Sequence, residues 1–150
     1  MLRLWRVLVL LALGVGVGMV LFSGACVAPV IFKTPGILDQ HHAGVLMGRI
    51  FVKGNYLLNA LACVLILDAL VLWAVHKSGL LFFHLVGVAL IGLFSFYYTP
   101  YILNAQAINA TTTPEFATVH AHSETLFKAL LTLLLISFVW RALLKPKRGV

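Results

Sequence analysis

Four long apolar stretches crowd into a chain of only 150 residues, and they leave few ways for it to fold. Val7 to Phe32 is 26 residues without a charge, and Gly54 to His76 is interrupted only by Asp68. Leu80 to Leu103 carries a single His84, and Leu126 to Leu144 holds Lys128 and Arg141 near its ends. A bilayer core of roughly 30 Å needs about 20 helical residues to cross it. Backbone polar groups must also be satisfied inside the lipid, which favours helices. The expected fold is therefore all-α, an integral membrane bundle of four transmembrane helices. Their positions fall near 5–31, 54–76, 79–103 and 114–144, within one domain over 1–150. In the fourth stretch Lys128 and Arg141 must snorkel toward the surfaces.

Charged residues make up 10% of the chain, far below the ~25% of a soluble domain. A formal net charge of +7 would suggest nucleic acid in a soluble protein. Here the basic residues flank apolar runs, a placement that fits anionic headgroups and excludes a nucleic-acid partner. Four spans put both termini on one side, together with the turn at His76 and Lys77. That side collects Arg3, Arg6, Lys77, Arg141, Lys145, Lys147 and Arg148, seven of the eleven Lys and Arg residues. The positive-inside rule then predicts a multi-pass protein of the cell's inner membrane with cytoplasmic termini.

Helix 1 carries Gly14 and Gly18 on one face with Ala25, a stripe on which helix backbones can approach closely. Ser23-Gly24-Ala25 before Cys26 resembles a cleavage site, but the apolar run is longer than a usual signal core, so the segment reads as helix 1. Pro29 is expected to end or kink it, and Lys33-Thr34-Pro35-Gly36 forms a turn. Cys26 and Cys63 are too few for a disulfide framework and read as single small hydrophobes, with a soft-metal or redox pair as the alternative. From Asp39 to Lys53, Leu46, Ile50 and Phe51 share a helical face among charged neighbours. That is a short amphipathic extension before helix 2, lying at the interface or prolonging the helix outward.

Phe96-Tyr97-Tyr98-Thr99-Pro100-Tyr101 closes helix 3 with an interfacial aromatic belt. Asn104 to Thr113 reads as a polar loop. Thr113-Pro114-Glu115 then starts helix 4, with an N-cap, a first-turn proline and an acid suited to the dipole. The first turns of that helix project beyond the core. Lys145-Pro146-Lys147-Arg148 stops it and leaves a basic tail.

Ala28-Pro29-Val30-Ile31-Phe32, Ala43-Gly44-Val45-Leu46-Met47-Gly48-Arg49-Ile50-Phe51 and Tyr98-Thr99-Pro100-Tyr101 carry a resemblance to a known family. With Phe116, His120 and Ser123, they resemble a bacterial membrane family of unknown function, DUF4149, similar to the animal transmembrane protein 205. The resemblance implies a four-helix membrane protein without an assigned reaction. The animal relative's association with resistance to platinum drugs points toward export or trafficking.

Polar residues collect in two places. Both long connections of a four-span protein emerge on one side, so Asp39, His41 and His42 share it with Glu115, His120, His122 and Glu124. Imidazoles and carboxylates together suit a divalent transition metal, and His120 and Glu124 share a helix face. Candidate ligands are His41, His42, His120 and Glu124, although no established metal spacing is matched. The alternative is that they are interfacial, with Glu124 paired to Lys128.

Asp68 is costlier, because a carboxylate mid-span needs about 2.5–3.5 kcal/mol on insertion scales. It must face the bundle interior, with Tyr or Ser residues of helix 3 or His84 as partners. Asn55 and Asn59 lie nearly opposite it on helix 2, suited to interhelical hydrogen bonds. His84, Ser95 and Tyr98 share a stripe on helix 3, so Asp68, Asn59 and His84 outline a candidate polar path for protons or substrate. Arg49 and Lys53 stand near the outer interface and suit anionic headgroups, or neutralise Asp39 and Glu115.

No nucleophile elbow, triad or phosphate loop is present, so no catalytic residue is assigned and an enzyme is disfavoured. The leading function is a small transport or resistance component for a metal ion or cationic compound. Four spans make a thin conduit, so this reading calls for a homo-oligomer or a membrane-protein partner. The main alternative is an accessory or assembly subunit packing against another membrane protein. A b-type haem protein ranks below both, because His84 has no obvious mate at matching depth.

Overall fold

A computed structural model describes residues 2–34, 36, 38–75 and 78–143. The turn at His76 and Lys77, Leu144 and the basic tail with Pro146 lie outside the described residues. Four helices are long and apolar enough to cross a membrane: α1 (Arg3–Lys33), α2 (Gln40–Ala74), α3 (Gly79–Ala107) and α4 (Pro114–Leu143). Around the bundle α1 packs on α2, α2 on α3, α3 on α4, and α4 back on α1. Among the described residues α1 and α3 face each other only across the diagonal, as do α2 and α4. Lipid supplies little hydrophobic drive between helices, so close packing must hold them. Accordingly the large aliphatics divide into two sets. Leu13, Leu58, Leu65, Leu130, Leu134 and Ile91 are fully buried, whereas Leu11, Leu57, Leu70, Phe82 and Leu143 point outward into the lipid layer.

The stretch from Asp39 to Lys53 is the start of α2 itself. The helix runs unbroken for 35 residues, about 50 Å at 1.5 Å per residue. Against a ~30 Å core, its first turns stand clear of the hydrocarbon. Asp39 caps it: its carboxylate accepts the His42 backbone N–H at 2.8 Å and sits 2.6 Å from His42 Nδ1. Those contacts, the backbone N–H foremost, hold the Asp39 carboxyl below its ordinary value of 3.8. Thr113 caps α4, accepting the Phe116 N–H at 3.2 Å, so this helix also begins outside the core.

Pro29 and Pro100 neither end nor break their helices. Each is preceded by a π-helical turn, Ser23–Val27 in α1 and Phe94–Tyr98 in α3. The residue before each proline donates its N–H five residues back, Ala28 to the Ser23 carbonyl and Thr99 to the Phe94 carbonyl. A proline ring clashes with the carbonyl four residues earlier. One extra residue wound into the preceding turn accommodates it and lets the helix continue. Helix α3 consequently extends to Ala107, so Asn104 and Gln106 are helical and the polar connection is shorter than the composition suggests.

Candidate functional site

One residue from each helix meets at the end of the bundle that carries the termini. Trp5 stands in the first turns of α1, Asp68 six residues before the end of α2, His84 five residues into α3, and Arg141 in the last turn of α4. The Trp5 indole N–H donates to Asp68 Oδ1 at 2.8 Å, and Arg141 Nη2 donates to the same oxygen at 2.7 Å. His84 Nδ1 lies 3.4 Å from the other oxygen, Oδ2. Asp68 and His84 are 0% exposed and Arg141 is 9% exposed. Asp68 sits about 9 Å from the C-terminal end of α2.

A buried carboxylate with one charge-assisted partner and one indole donor is well held on one side only. Among the described residues Asp68 Oδ2, both His84 ring nitrogens, Ser137 Oγ and Arg141 Nε are buried without a hydrogen-bond partner. Ser137 is one turn before Arg141 and 0% exposed, so it belongs to the same end of α4. Buried polar atoms are normally paired, and a group of unpaired ones in one place marks a functional or hydrated site. Arg6 strengthens this end by donating to the Ala142 carbonyl at 2.5 Å, tying α1 to the last turn of α4.

A second polar layer crosses the bundle at the level of the π turns. Asn55 Nδ2 donates to the Thr99 hydroxyl at 3.0 Å, and Thr99 donates in turn to the Phe94 carbonyl at 2.9 Å. Ser23, Ser95 and Ser123 are buried as well. Asn55 and Asp68 are thirteen residues apart on α2, so the two layers stand about 20 Å apart. Leu13, Leu58, Leu61, Leu65, Leu130 and Leu134 fill the space between them, each no more than 4% exposed. The stripe of His84 and Ser95 on α3 is therefore interrupted by packed hydrocarbon.

The remaining expected residues are placed differently. Asn59 is half-buried, and it is Asn55, one turn earlier, that makes the interhelical bond. His120 stacks on Phe116 with centroids 5.6 Å apart and approaches Glu124 at 3.4 Å. Lys128 reaches Glu124 at 3.7 Å. His42 turns to Asp39, and its ring meets His41 edge-on at 5.7 Å. His42 and His120 each meet a carboxylate three or four residues away, and among the described residues no three His, Cys, Asp or Glu side chains are grouped to hold a metal ion. Cys26 and Cys63 are free and exposed, facing away from the core. Lys53 lies 6.0 Å from the Tyr56 ring centroid, and Arg49 lines a cleft between the start of α2 and the end of α3.

Trp5, Ser137 and Arg141 are the residues that sequence reasoning missed. The signal for Arg141 was present, since an even number of spans brings it to the end where Asp68 lies, with opposite charge. Reading it as a snorkelling residue hid that match.

Four apolar helices, closed at one end by a buried charge cluster, define a multi-pass integral membrane protein. The chain belongs to the family described as Domain of unknown function (DUF4149), which matches residues 11–111. The match covers α1 from Leu11 onward, all of α2 and α3, and so both Asp68 and His84. Arg141 lies beyond it. No curated protein and no solved structure matches the chain.

Proposed function

We propose that the protein is a small proton-linked transport component for a cationic compound or metal ion, with the Asp68 cluster as its inner gate. One observation carries this reading: a fully buried carboxylate receives donors from α1 and α4 while an imidazole of α3 stands against its free oxygen. Ionisable groups inside a membrane span are costly and, by default, functional. In this reading a proton shared between Asp68 and His84 weakens the hold on Arg141, and the terminal end of α4 is released. The leucine layer between the two polar levels fills the interior of the single bundle, so in this reading passage through it requires the helices to rearrange. Such a thin bundle acts as an oligomer or beside a partner.

Proteoliposomes under an imposed pH gradient test this with two probes, ethidium as an organic cation and Zn2+ as a metal. Flux of either by the wild type, abolished in Asp68→Asn and in the doubly neutral Asp68→Asn/Arg141→Gln, supports the proposal. Flux unchanged in Asp68→Asn, or no flux of either probe, defeats it.

The packed leucine layer favours one other reading, an accessory subunit whose charge cluster only fixes the bundle. That reading expects one membrane protein to co-purify in fixed ratio and expects the doubly neutral variant to retain it.

A further inference from the structure

The loop end of the bundle carries a cleft of about 440 Å³, walled by the start of α2 and the end of α3. His41 and Arg49 line it from α2, Gln106 from α3 and Asn109 from the turn after it, and Val45 and Leu103 supply an apolar wall. The sequence shapes it through two glycines and one asparagine. A Cβ at Gly44 would meet Gln106 Nε2 at 3.3 Å, and one at Gly48 would meet Gln106 Oε1 at 2.9 Å. The bare backbone of α2 thus lets the Gln106 amide lie flat against it. Asn109 takes φ 56°, a left-handed conformation that asparagine tolerates better than most residues. From there the Ala110 N–H bonds the Ala105 carbonyl at 2.8 Å and the Asn109 N–H bonds the Gln106 carbonyl at 3.2 Å. This double bond pattern is a Schellman motif, and it stops α3 at the rim of the cleft.

The charge left at this cleft is positive. Asp39 is engaged by His42, Asp68 by Arg141, and Glu124 by His120 and Lys128, while Glu115 is exposed at the start of α4 and does not line the cleft. Among the described residues Arg49 makes no ion pair, and no acidic residue lines the cleft. Its depth is that of the headgroups, because it lies just beyond the belt of Tyr56, Tyr97 and Tyr101 on the same two helices. Tyrosines mark the membrane–water interface. A guanidinium fork, an imidazole and two amides beside a short aliphatic wall match a phosphodiester with the start of its acyl chains.

We infer that this cleft binds the headgroup of an anionic phospholipid, with Arg49 on the phosphate. The bound lipid bridges α2 and α3 at the surface opposite the charge cluster. It is independent of the transport reading.

Native mass spectrometry of the purified full-length protein, mixed with phosphatidylglycerol or phosphatidylcholine, tests it. The wild type is expected to retain the anionic lipid about tenfold better, because the fixed cation of phosphatidylcholine meets a cleft whose charge is already positive. Arg49→Gln should lose that preference. Arg49→Lys should keep most of it, which separates lost charge from lost fold, and Lys53→Gln should leave it intact because Lys53 lies outside the cleft. Equal retention of the two lipids, unchanged preference in Arg49→Gln, or displacement of the lipid by millimolar inorganic phosphate would each overturn the assignment. The last result would make it a site for free phosphate.

Discussion

Asp68 and Arg141 meet across the diagonal of the bundle, 2.7 Å apart, on two helices whose backbones do not pack against each other. An ion pair between adjacent helices would only reinforce a packed seam. Across a diagonal it passes between α1 and α3, and it draws Trp5 from one and His84 from the other into the same contact set.

Breaking that pair from one side should be far worse than removing it whole. Arg141→Met leaves Asp68 as a buried, uncompensated charge, a change that costs about 3–5 kcal/mol. Asp68→Asn/Arg141→Met removes both charges and should recover most of the loss. Unfolding in mixed detergent micelles, followed by circular dichroism, measures both. If the double variant is as weak as Arg141→Met, the pair does not behave as a compensated unit.

Trp5→Phe keeps the aromatic body and removes only the indole donor to Asp68. A hydrogen bond to a charged group contributes about 1.5–3 kcal/mol, so a loss in that range is expected by the same unfolding assay. In Asp68→Asn the residual effect of Trp5→Phe should shrink, because the acceptor is no longer a carboxylate. Equal losses in both backgrounds would mean that the indole matters for packing alone.

The architecture was legible because lipid allows so few solutions: an apolar run of sufficient length is a helix, whatever its neighbours do. The start of α4 was equally readable, since Thr113 and Pro114 are local signals that no tertiary contact had to supply. Partners were harder. Asp68 announced that it needed one, but its donors come from positions 5 and 141, and nothing local to either names the other. The prolines were legible only in part: Pro29 and Pro100 fall inside the expected spans, but only the folded helix reveals the π turn wound ahead of each. The histidines of the two connections share a side of the membrane. His42 and His120, however, each find a carboxylate three or four residues away, Asp39 and Glu124, before they can reach across.

Acid should loosen the start of α2. Asp39 is held below its ordinary value chiefly by the His42 N–H, so its cap stabilises the helix above the unfolded carboxyl range. That contribution fades as pH falls below about 4 and is lost once pH passes the depressed folded value. Amide hydrogen exchange at His42 should therefore accelerate, relative to intrinsic rates, across that window. Asp39→Asn keeps an N-capping side chain and should flatten the dependence, whereas Asp39→Ala should exchange fast at every pH. A wild-type profile no steeper than that of Asp39→Asn would remove the cap from the account.

Glycine use in α1 offers the sharpest test of the packing. Gly14 and Gly18 fall on one helical face and look like a close-approach stripe. Yet a Cβ at Gly18 would meet nothing within 4 Å, and at Gly14 only the Phe138 ring at 3.6 Å. The close approach is instead at Gly16, where a Cβ would collide with the Leu61 side chain of α2. Leu61 is 4% exposed and has little room to move. Gly16→Val should thus cost about 1–3 kcal/mol as an overpacked core does. Gly18→Ala should be neutral or slightly stabilising, since alanine is the better helix former by about 1 kcal/mol. Melted side by side in the same detergent, Gly16→Val should fall below the wild type and Gly18→Ala should not. If Gly18→Ala proves the more damaging, the outward face of α1 is covered by another protein surface rather than by lipid.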